Sequence, residues 1–116
     1  MAAYEHRLAE PVTYMERPVA TVFLMEPRAK QLARFGEPTQ SVYSAKTGAS
    51  YDVNNDDVIA QYLDALLSLD GTAPVDGGGR ALFAHLSLQD GIAIRDALLG
   101  FFVKAKLSLF SARSTA

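Results

Sequence analysis

The chain of 116 residues contains no cysteine and no tryptophan, and it has only two histidines. Without cysteine, the protein has no disulfide framework, no thiolate metal site and no thiol nucleophile, and its composition fits a reducing compartment. Neither His6 nor His85 has a second ligand at the spacing of a zinc site. The sequence therefore predicts no metal and no bound cofactor.

The chain also lacks a basic cluster and a long hydrophobic run. Eleven Lys and Arg are scattered among thirteen Asp and Glu, for a net charge of -2. Because binding to phosphate backbones needs clustered cations, we expect no nucleic-acid partner. The longest apolar stretch, 97–103, is too short to span a membrane, and charges interrupt the N-terminus where a signal peptide would be apolar. We expect a cytoplasmic protein without a membrane segment.

The N-terminal quarter has the pattern of a β-hairpin. A short strand around His6 to Ala9 is followed by a turn-like segment that holds Pro11 and Pro18, and then by the β-branched and aromatic run 19–25. Residues of this kind, bounded by prolines, are typical of strands. Pro11, Glu16, Arg17 and Pro18 are therefore assigned to the turn.

Two small elements follow the hairpin. Pro27 fits the first position of a helix that continues over 29–35 and stops at Gly36. In the segment 40–53, similar residues flank a glycine-containing turn almost symmetrically, which indicates a second small hairpin. A polar loop is the alternative for this segment.

The next helix is predicted over Val58 to Leu69, with Asn54 or Asn55 as its cap and Asp70-Gly71 as its end. After it, 72–79 contains three consecutive glycines and is predicted to be a flexible connection, followed by a short helix over 80–86. The apolar face of the longer helix has a spacing of four residues. Its members are Val58, Ile59, Tyr62, Leu63, Leu66 and Leu67.

A last amphipathic helix is predicted from Leu86 to Phe102. Ser87 and Asp90 have the S-x-x-D spacing of a capping box, so both side chains are expected to bind N–H groups of the first turn. The apolar residues that follow form a stripe at helical spacing. They are Leu88, Ile92, Leu98, Leu99, Phe101 and Phe102.

Together these elements predict an α+β fold: an N-terminal β-hairpin followed by a small bundle of about three main helices, with the second hairpin at 40–53. We expect one domain over 1–103 and a C-terminal tail over 104–116 that is partly disordered.

No motif in the chain predicts catalysis. Gly77-Gly78-Gly79-Arg80 lacks the Lys-Ser/Thr pair of a phosphate loop, and no serine lies in G-x-S-x-G. The acids at 52–57 lack the glycine of a calcium loop. The protein is therefore not predicted to be an enzyme.

The apolar residues near the C-terminus have two interpretations. Leu107, Leu109 and Phe110 either pack back onto the domain or form an exposed adhesive patch for another protein. On the second interpretation, the candidate partner-binding residues are Leu99, Phe102, Leu107, Leu109 and Phe110.

In order along residues 5–103, these pieces resemble the tail assembly chaperone family of Mu-like contractile-tailed phages and their prophages. The resemblance rests on Leu24-Met-Glu-Pro-Arg28 before a short helix with Gln31, Leu32 and Phe35, on the leucine-rich helix Val58 to Leu69, and on Leu86-Ser-Leu-Gln-Asp90 leading to Phe102. The chain departs from the family pattern at 40–53 and in the long glycine connector.

The resemblance implies a non-enzymatic protein that holds the long helical tape measure protein in the bacterial cytoplasm and helps recruit the tail tube protein. Self-association is a further expectation. The alternatives are another phage or prophage structural or tail-completion component, or a small inhibitor of a mobile element that binds a host protein.

Overall fold

An N-terminal antiparallel hairpin followed by helices gives the chain the mixed α+β architecture that the sequence predicted. The computed structural model describes the backbone of residues 3–114 and the side chains of residues 3–109. Strands β1, β2 and β5 form one sheet, and β3 and β4 form a second. The elements are β1 (Tyr4–Tyr14), β2 (Arg17–Leu24), α1 (Ala29–Phe35), β3 (Thr39–Tyr43), β4 (Ser50–Asn54), α2 (Asp56–Leu66), β5 (Leu67–Ser68), α3 (Arg80–His85) and α4 (Leu88–Ser114).

The hairpin of β1 and β2 turns more tightly than predicted. Met15 and Glu16 have φ values of 50° and 64°, so both turn residues lie in the left-handed region. This is the geometry of a two-residue type I′ turn, whose twist matches that of the flanking strands. The predicted turn over 11–18 is therefore wrong in extent, and Tyr14 pairs directly with Arg17.

Pro11 lies within β1 because the strand is irregular there. Ladder pairing with β2 is interrupted between Arg7 and Val12. Proline has no N–H to donate, so it is tolerated at such a bulge. The interruption leaves the N–H groups of Ala9 and Glu10 to find partners outside the sheet.

Asp90, in the first turn of α4, supplies those partners. Its side chain is fully buried. Its oxygens accept hydrogen bonds from Ala9 N–H (2.8 Å), Glu10 N–H (3.2 Å), His6 Nε2 (2.9 Å) and Ser87 Oγ (2.8 Å). Ser87 Oγ accepts from Asp90 N–H at 3.2 Å, so the hydroxyl caps the helix as predicted. The role predicted for the carboxylate is wrong, because it accepts from N–H groups of β1 and not from N–H groups of its own first turn.

These hydrogen bonds keep the Asp90 carboxylate charged although it is buried. Burial raises the pKa of Asp90, but the hydrogen bonds from Ala9, His6, Ser87 and Glu10 outweigh burial and hold the pKa at about 2. Because an ionised carboxylate only accepts hydrogen bonds, the Nε2 atom of His6 carries the hydrogen.

The buried face of α4 begins at Asp90 and continues one turn at a time through Ile94 and Leu98. Leu88 and Ile92, which the sequence analysis placed on this stripe, are exposed instead. The rest of the predicted stripe is buried or packs against the core: Leu98, Leu99, Phe101 and Phe102.

Helix α2 buries the face that its spacing predicts but is shorter than predicted. Asn55 caps it by accepting two backbone hydrogen bonds from the first turn. The helix ends at Leu66 and not near Asp70, because residues 67–68 pair with β2 as strand β5. This pairing covers an edge of β2 that would otherwise be open. The buried residues of α2 are Ile59, Tyr62, Leu63 and Leu66.

The segment 72–79, predicted to be a flexible connection, is packed against α2 and β5. Val75 is buried, and its N–H donates to the Leu67 carbonyl at 2.9 Å. A Cβ atom at Gly79 would lie 2.5 Å from Leu67 Cβ and 2.7 Å from the Leu63 carbonyl oxygen. Glycine is therefore required here for close approach.

The other predicted elements are present. Helix α1 ends before Gly36, β3 and β4 confirm the second hairpin against the loop alternative, and α3 occupies the predicted 80–86. Helix α4 continues through residue 103 to Ser114. The helix is therefore unbroken at the predicted boundary between domain and tail, which lay after residue 103. Partial disorder of the tail stays a prediction.

Two glycine substitutions should change stability in opposite directions. Gly79→Ala should lower the free energy of unfolding by about 2 kcal/mol, because its Cβ meets backbone and Leu67 Cβ. Gly100→Ala should raise it by about 0.5–1 kcal/mol, because nothing lies within 4 Å and alanine favours helix. Urea denaturation measures both, and destabilisation by Gly100→Ala would contradict the structure of α4.

Asp90→Asn should destabilise the protein by about 2–3 kcal/mol at neutral pH, because an amide accepts the hydrogen bonds less strongly. The pKa of Asp90 in the folded protein, about 2, lies below the 3.8 of an unperturbed aspartate. The stability gained from ionisation is therefore present above about pH 4 and is lost as pH falls towards 2.

The measurement is urea denaturation of the wild type and Asp90→Asn between neutral and acid pH. Their difference in stability should narrow below about pH 4. Backbone hydrogen bonds from Thr72 and Ala73 lower the pKa of Asp70 to about 2, so Asp70 also makes stability depend on pH. Because Asp70 is present in both proteins, its contribution cancels in the difference between their stabilities. Asp96→Asn, at an exposed position of the same helix, is the control. A difference that is independent of pH would contradict the role given to Asp90.

Candidate protein-binding site

A groove of about 570 Å³ lies between α1 and the C-terminal part of α4. Its apolar lining comes from both helices and from the segment before α1, and charged side chains border it. The lining residues are Glu26, Pro27, Arg28, Ala29, Leu32, Glu37, Phe101, Phe102, Lys104, Ala105, Lys106, Ser108 and Leu109. We name this surface the α1–α4 groove.

Tyr62 positions both walls of the groove. Its ring makes edge-to-face contacts with Phe35 of α1 (5.1 Å between centroids) and with Phe102 of α4 (5.2 Å). Its hydroxyl donates to the Gly36 carbonyl at 2.6 Å, at the end of α1. Burial raises the pKa of Tyr62, and the nearby Glu37 carboxylate raises it further, so the hydroxyl stays a donor. One buried side chain of α2 thus sets the separation of α1 and α4.

Helix α1 is a short wall that covers little of α4. None of its residues is buried, and Leu32 is exposed on the groove. The helix starts with the Gln31 side chain accepting from Arg28 N–H at 2.8 Å. At seven residues it is about 10 Å long, whereas α4 with 27 residues is about 40 Å. The end of α4 therefore extends past the core.

One ion pair joins the extension of α4 to the residues that follow α1. Lys106 forms an ion pair with Glu37, which follows α1. Both side chains are about half exposed, so this pair contributes little to stability. The side chains of residues 103–109 are all exposed.

Two of the five candidate partner-binding residues line the groove. Phe102 is half-buried at its base, and Leu109, with 55% of its surface exposed, lies towards its outer end. Leu99 packs against the core, and Leu107, 62% exposed, lies outside the lining. The side chain of Phe110 lies outside the described residues. The interpretation that Leu107 and Leu109 pack back onto the domain is wrong.

Sequence reasoning missed the α1 side of the groove. Leu32 and Phe35 have helical spacing, which predicts an apolar face but not that Phe35 turns to Tyr62 while Leu32 is left open. Phe101 was assigned to the packing stripe, yet it also lines the groove. A short helix with two apolar residues on one side is the available signal.

A second, smaller cavity of about 200 Å³ lies among α2, α3 and α4. Its base is apolar, with Ile59, Leu63 and Phe83. Arg95 and Asp56 stand at its rim, 4.0 Å apart and largely exposed. No buried polar group points into it, in keeping with a packing gap between three helices.

The polar cluster around Asp90 combines histidine, serine and aspartate, but its geometry is not that of a catalytic triad. Ser87 Oγ donates to Asp90 and not to the imidazole, so His6 does not activate the hydroxyl. A carboxylate with a pKa of about 2 is also a weak base. Tyr4 OH is 3.5 Å from His6 Nδ1. The cluster anchors α4 to β1.

The other sequence motifs also have structural roles. Asp52 accepts a hydrogen bond from Ser41 across the second hairpin at 2.9 Å, and Asp56 and Asp57 lie in the first turn of α2. His85 Nδ1 lies 2.8 Å from the carbonyl of Ala81, within α3. Within the described part of the chain, no group of three or more His, Asp or Glu has the geometry of a metal site.

Comparisons of the chain with protein-family models, curated proteins and solved structures gave no match. The family resemblance therefore stays a prediction. No helix among residues 3–114 has the length and apolar character needed to cross a bilayer.

Two substitutions in the groove should have different effects on stability, because one residue lies at its packed base and the other on its open surface. Phe102→Ala should lower the free energy of unfolding by about 2 kcal/mol, because the ring packs on Tyr62. Leu109→Ser should change it by less than about 0.5 kcal/mol, because the side chain is exposed. Thermal and urea denaturation measure both, and an equal loss in the two variants would show that Leu109 belongs to the core.

Proposed function

We propose that this protein is a non-enzymatic tail assembly chaperone that binds the tape measure protein in the cytoplasm of a bacterial host. The observation that carries the proposal is the α1–α4 groove, an open and largely apolar surface along the exposed C-terminal part of helix α4. Soluble proteins rarely leave such surfaces open unless they bind something. The family resemblance of residues 5–103 supplies the identity of the partner.

The groove suits the binding of a helix from the partner. Phe101, Phe102 and Leu32 provide an apolar floor and wall, and charged residues border it. Amphipathic helices bind to other proteins in grooves of this kind through one apolar face. A tape measure protein before assembly is a long helical chain with such faces exposed, and covering them keeps it soluble.

The small size of the groove favours binding that can be reversed. From Phe101 to Leu109 it spans nine residues of α4, and the distance along the helix axis is about 12 Å, or two helical turns. An interface of this length is at the low end of the range for specific complexes, where binding is transient. Weak binding at many places along the tape measure protein allows tail tube subunits to displace the chaperone.

Co-expression with the tape measure protein encoded beside it tests this proposal. The wild type should keep the tape measure protein soluble and co-purify with it, and Leu109→Ser should reduce the recovered amount several-fold because it removes an apolar contact of the groove. Leu107→Ser is a matched control: it changes the same residue type, two positions away on α4, outside the groove.

Three results would contradict the proposal. The first is a tape measure protein that stays insoluble with the wild type. The second is an equal loss of binding in both variants, which would assign binding to the whole exposed helix instead of the groove. The third is a stoichiometric amount of this protein in purified virions by mass spectrometry, which would favour a structural component.

A further inference from the structure

The two walls of the α1–α4 groove differ in charge. The last acid along α4 is Asp96, and from 97 to 114 the helix carries only basic charges, of which Lys104 and Lys106 stand at the groove. The opposite wall has the carboxylates of Glu26 and Glu37 together with Arg28. The α4 wall is therefore cationic in a chain whose net charge is negative.

Among the residues whose side chains the structure describes, no carboxylate lies within ion-pair distance of Lys104. The ion pairs found among residues with described side chains are His6–Asp90, Arg95–Asp56 and Lys106–Glu37. Lys106 is thus already neutralised at the end of α1, whereas Lys104 borders the apolar floor with its charge unmatched. An acidic group of a partner would complete this border.

The form of the partner follows from the walls. Helix α4 forms one wall, the short helix α1 and residues 26–28 form the other, and none of these residues belongs to a strand. The groove therefore offers no strand edge to an extended peptide. A segment that enters it has to satisfy its own backbone, which an α-helix does.

We infer that the α1–α4 groove holds an amphipathic helix of the partner protein whose apolar stripe is bordered by carboxylates on the side facing Lys104. The inference rests on the proposed function, because it names the chemistry of the segment that the chaperone binds. It adds a direction to the binding: the acidic border of the bound helix lies along α4.

Three synthetic helical peptides of about four turns test this inference. All have leucines at positions i, i+3, i+4 and i+7, and they differ only in the residues bordering one side of that stripe, which are glutamate, glutamine or lysine. Fluorescence anisotropy at low and high salt measures their dissociation constants for the full chain.

The glutamate peptide should bind about three-fold or more tightly than the glutamine peptide at low salt, and the difference should shrink at high salt. Lys104→Glu should abolish that preference, which is measured as the ratio of the two dissociation constants within the variant, so that a general effect of the substitution on the groove cancels. Lys46→Glu, on the second hairpin and away from the groove, is the matched control and should preserve the preference. Leu109→Ser should weaken binding of all three peptides.

Equal affinity for the three peptides, or a preference that survives Lys104→Glu, would overturn the inference and leave the proposed function in place. Binding to vesicles of anionic phospholipid in place of any peptide would also overturn it. If the glutamate peptide binds as expected but the tape measure protein is not solubilised on co-expression, the proposed function fails and the groove retains its specificity for an acidic helix.

Discussion

The fold depends on one buried carboxylate. Asp90 accepts hydrogen bonds from two N–H groups that the bulge in β1 leaves without partners in the sheet, and it sits in the first turn of the longest helix. A charge in this position is stable only when its bonds are complete, so α4 can start at one place and in one orientation. Ile94 and Leu98 then reach the core, and Phe102 reaches Tyr62.

The groove is a consequence of this placement and of unequal helix lengths. Asp90 fixes the start of α4, and the face of α4 that packs against the core ends at Phe102. The helix continues for twelve more residues. Helix α1 is too short to cover them, and Tyr62 keeps it at a fixed distance through Phe35 and Gly36. The open surface is therefore built into the architecture of the described residues.

Local signals in the sequence predicted the elements, whereas contacts distant along the chain determined the details that sequence reasoning missed. The spacing of apolar residues in α2 and the symmetric flanks of the second hairpin were sufficient to predict these two elements, because each signal depends on residues that are close in sequence. Leu67 has helical spacing, but the open edge of β2, more than forty residues earlier, draws it into a strand. Asp90 was assigned to its own helix because nothing near it in sequence shows the bulge around Pro11. In the site, the sequence left open whether Leu107 and Leu109 pack onto the domain or form one exposed patch. The continuation of α4 past the core leaves both exposed and puts only Leu109 in the groove.

The position of the groove on the least supported part of α4 determines how firmly it can hold a partner. Beyond Phe102 the described side chains are exposed, and the Lys106–Glu37 ion pair links this part of α4 to the residue that follows α1 by two positions. A helix of about twelve residues is marginal without packing, so this segment depends on continuity with the anchored half of α4. A bound helix would add the packing that the segment lacks, and part of the binding energy would be used to order it. Under the proposed function, this cost lowers the affinity for the partner, which suits a chaperone that is displaced during assembly.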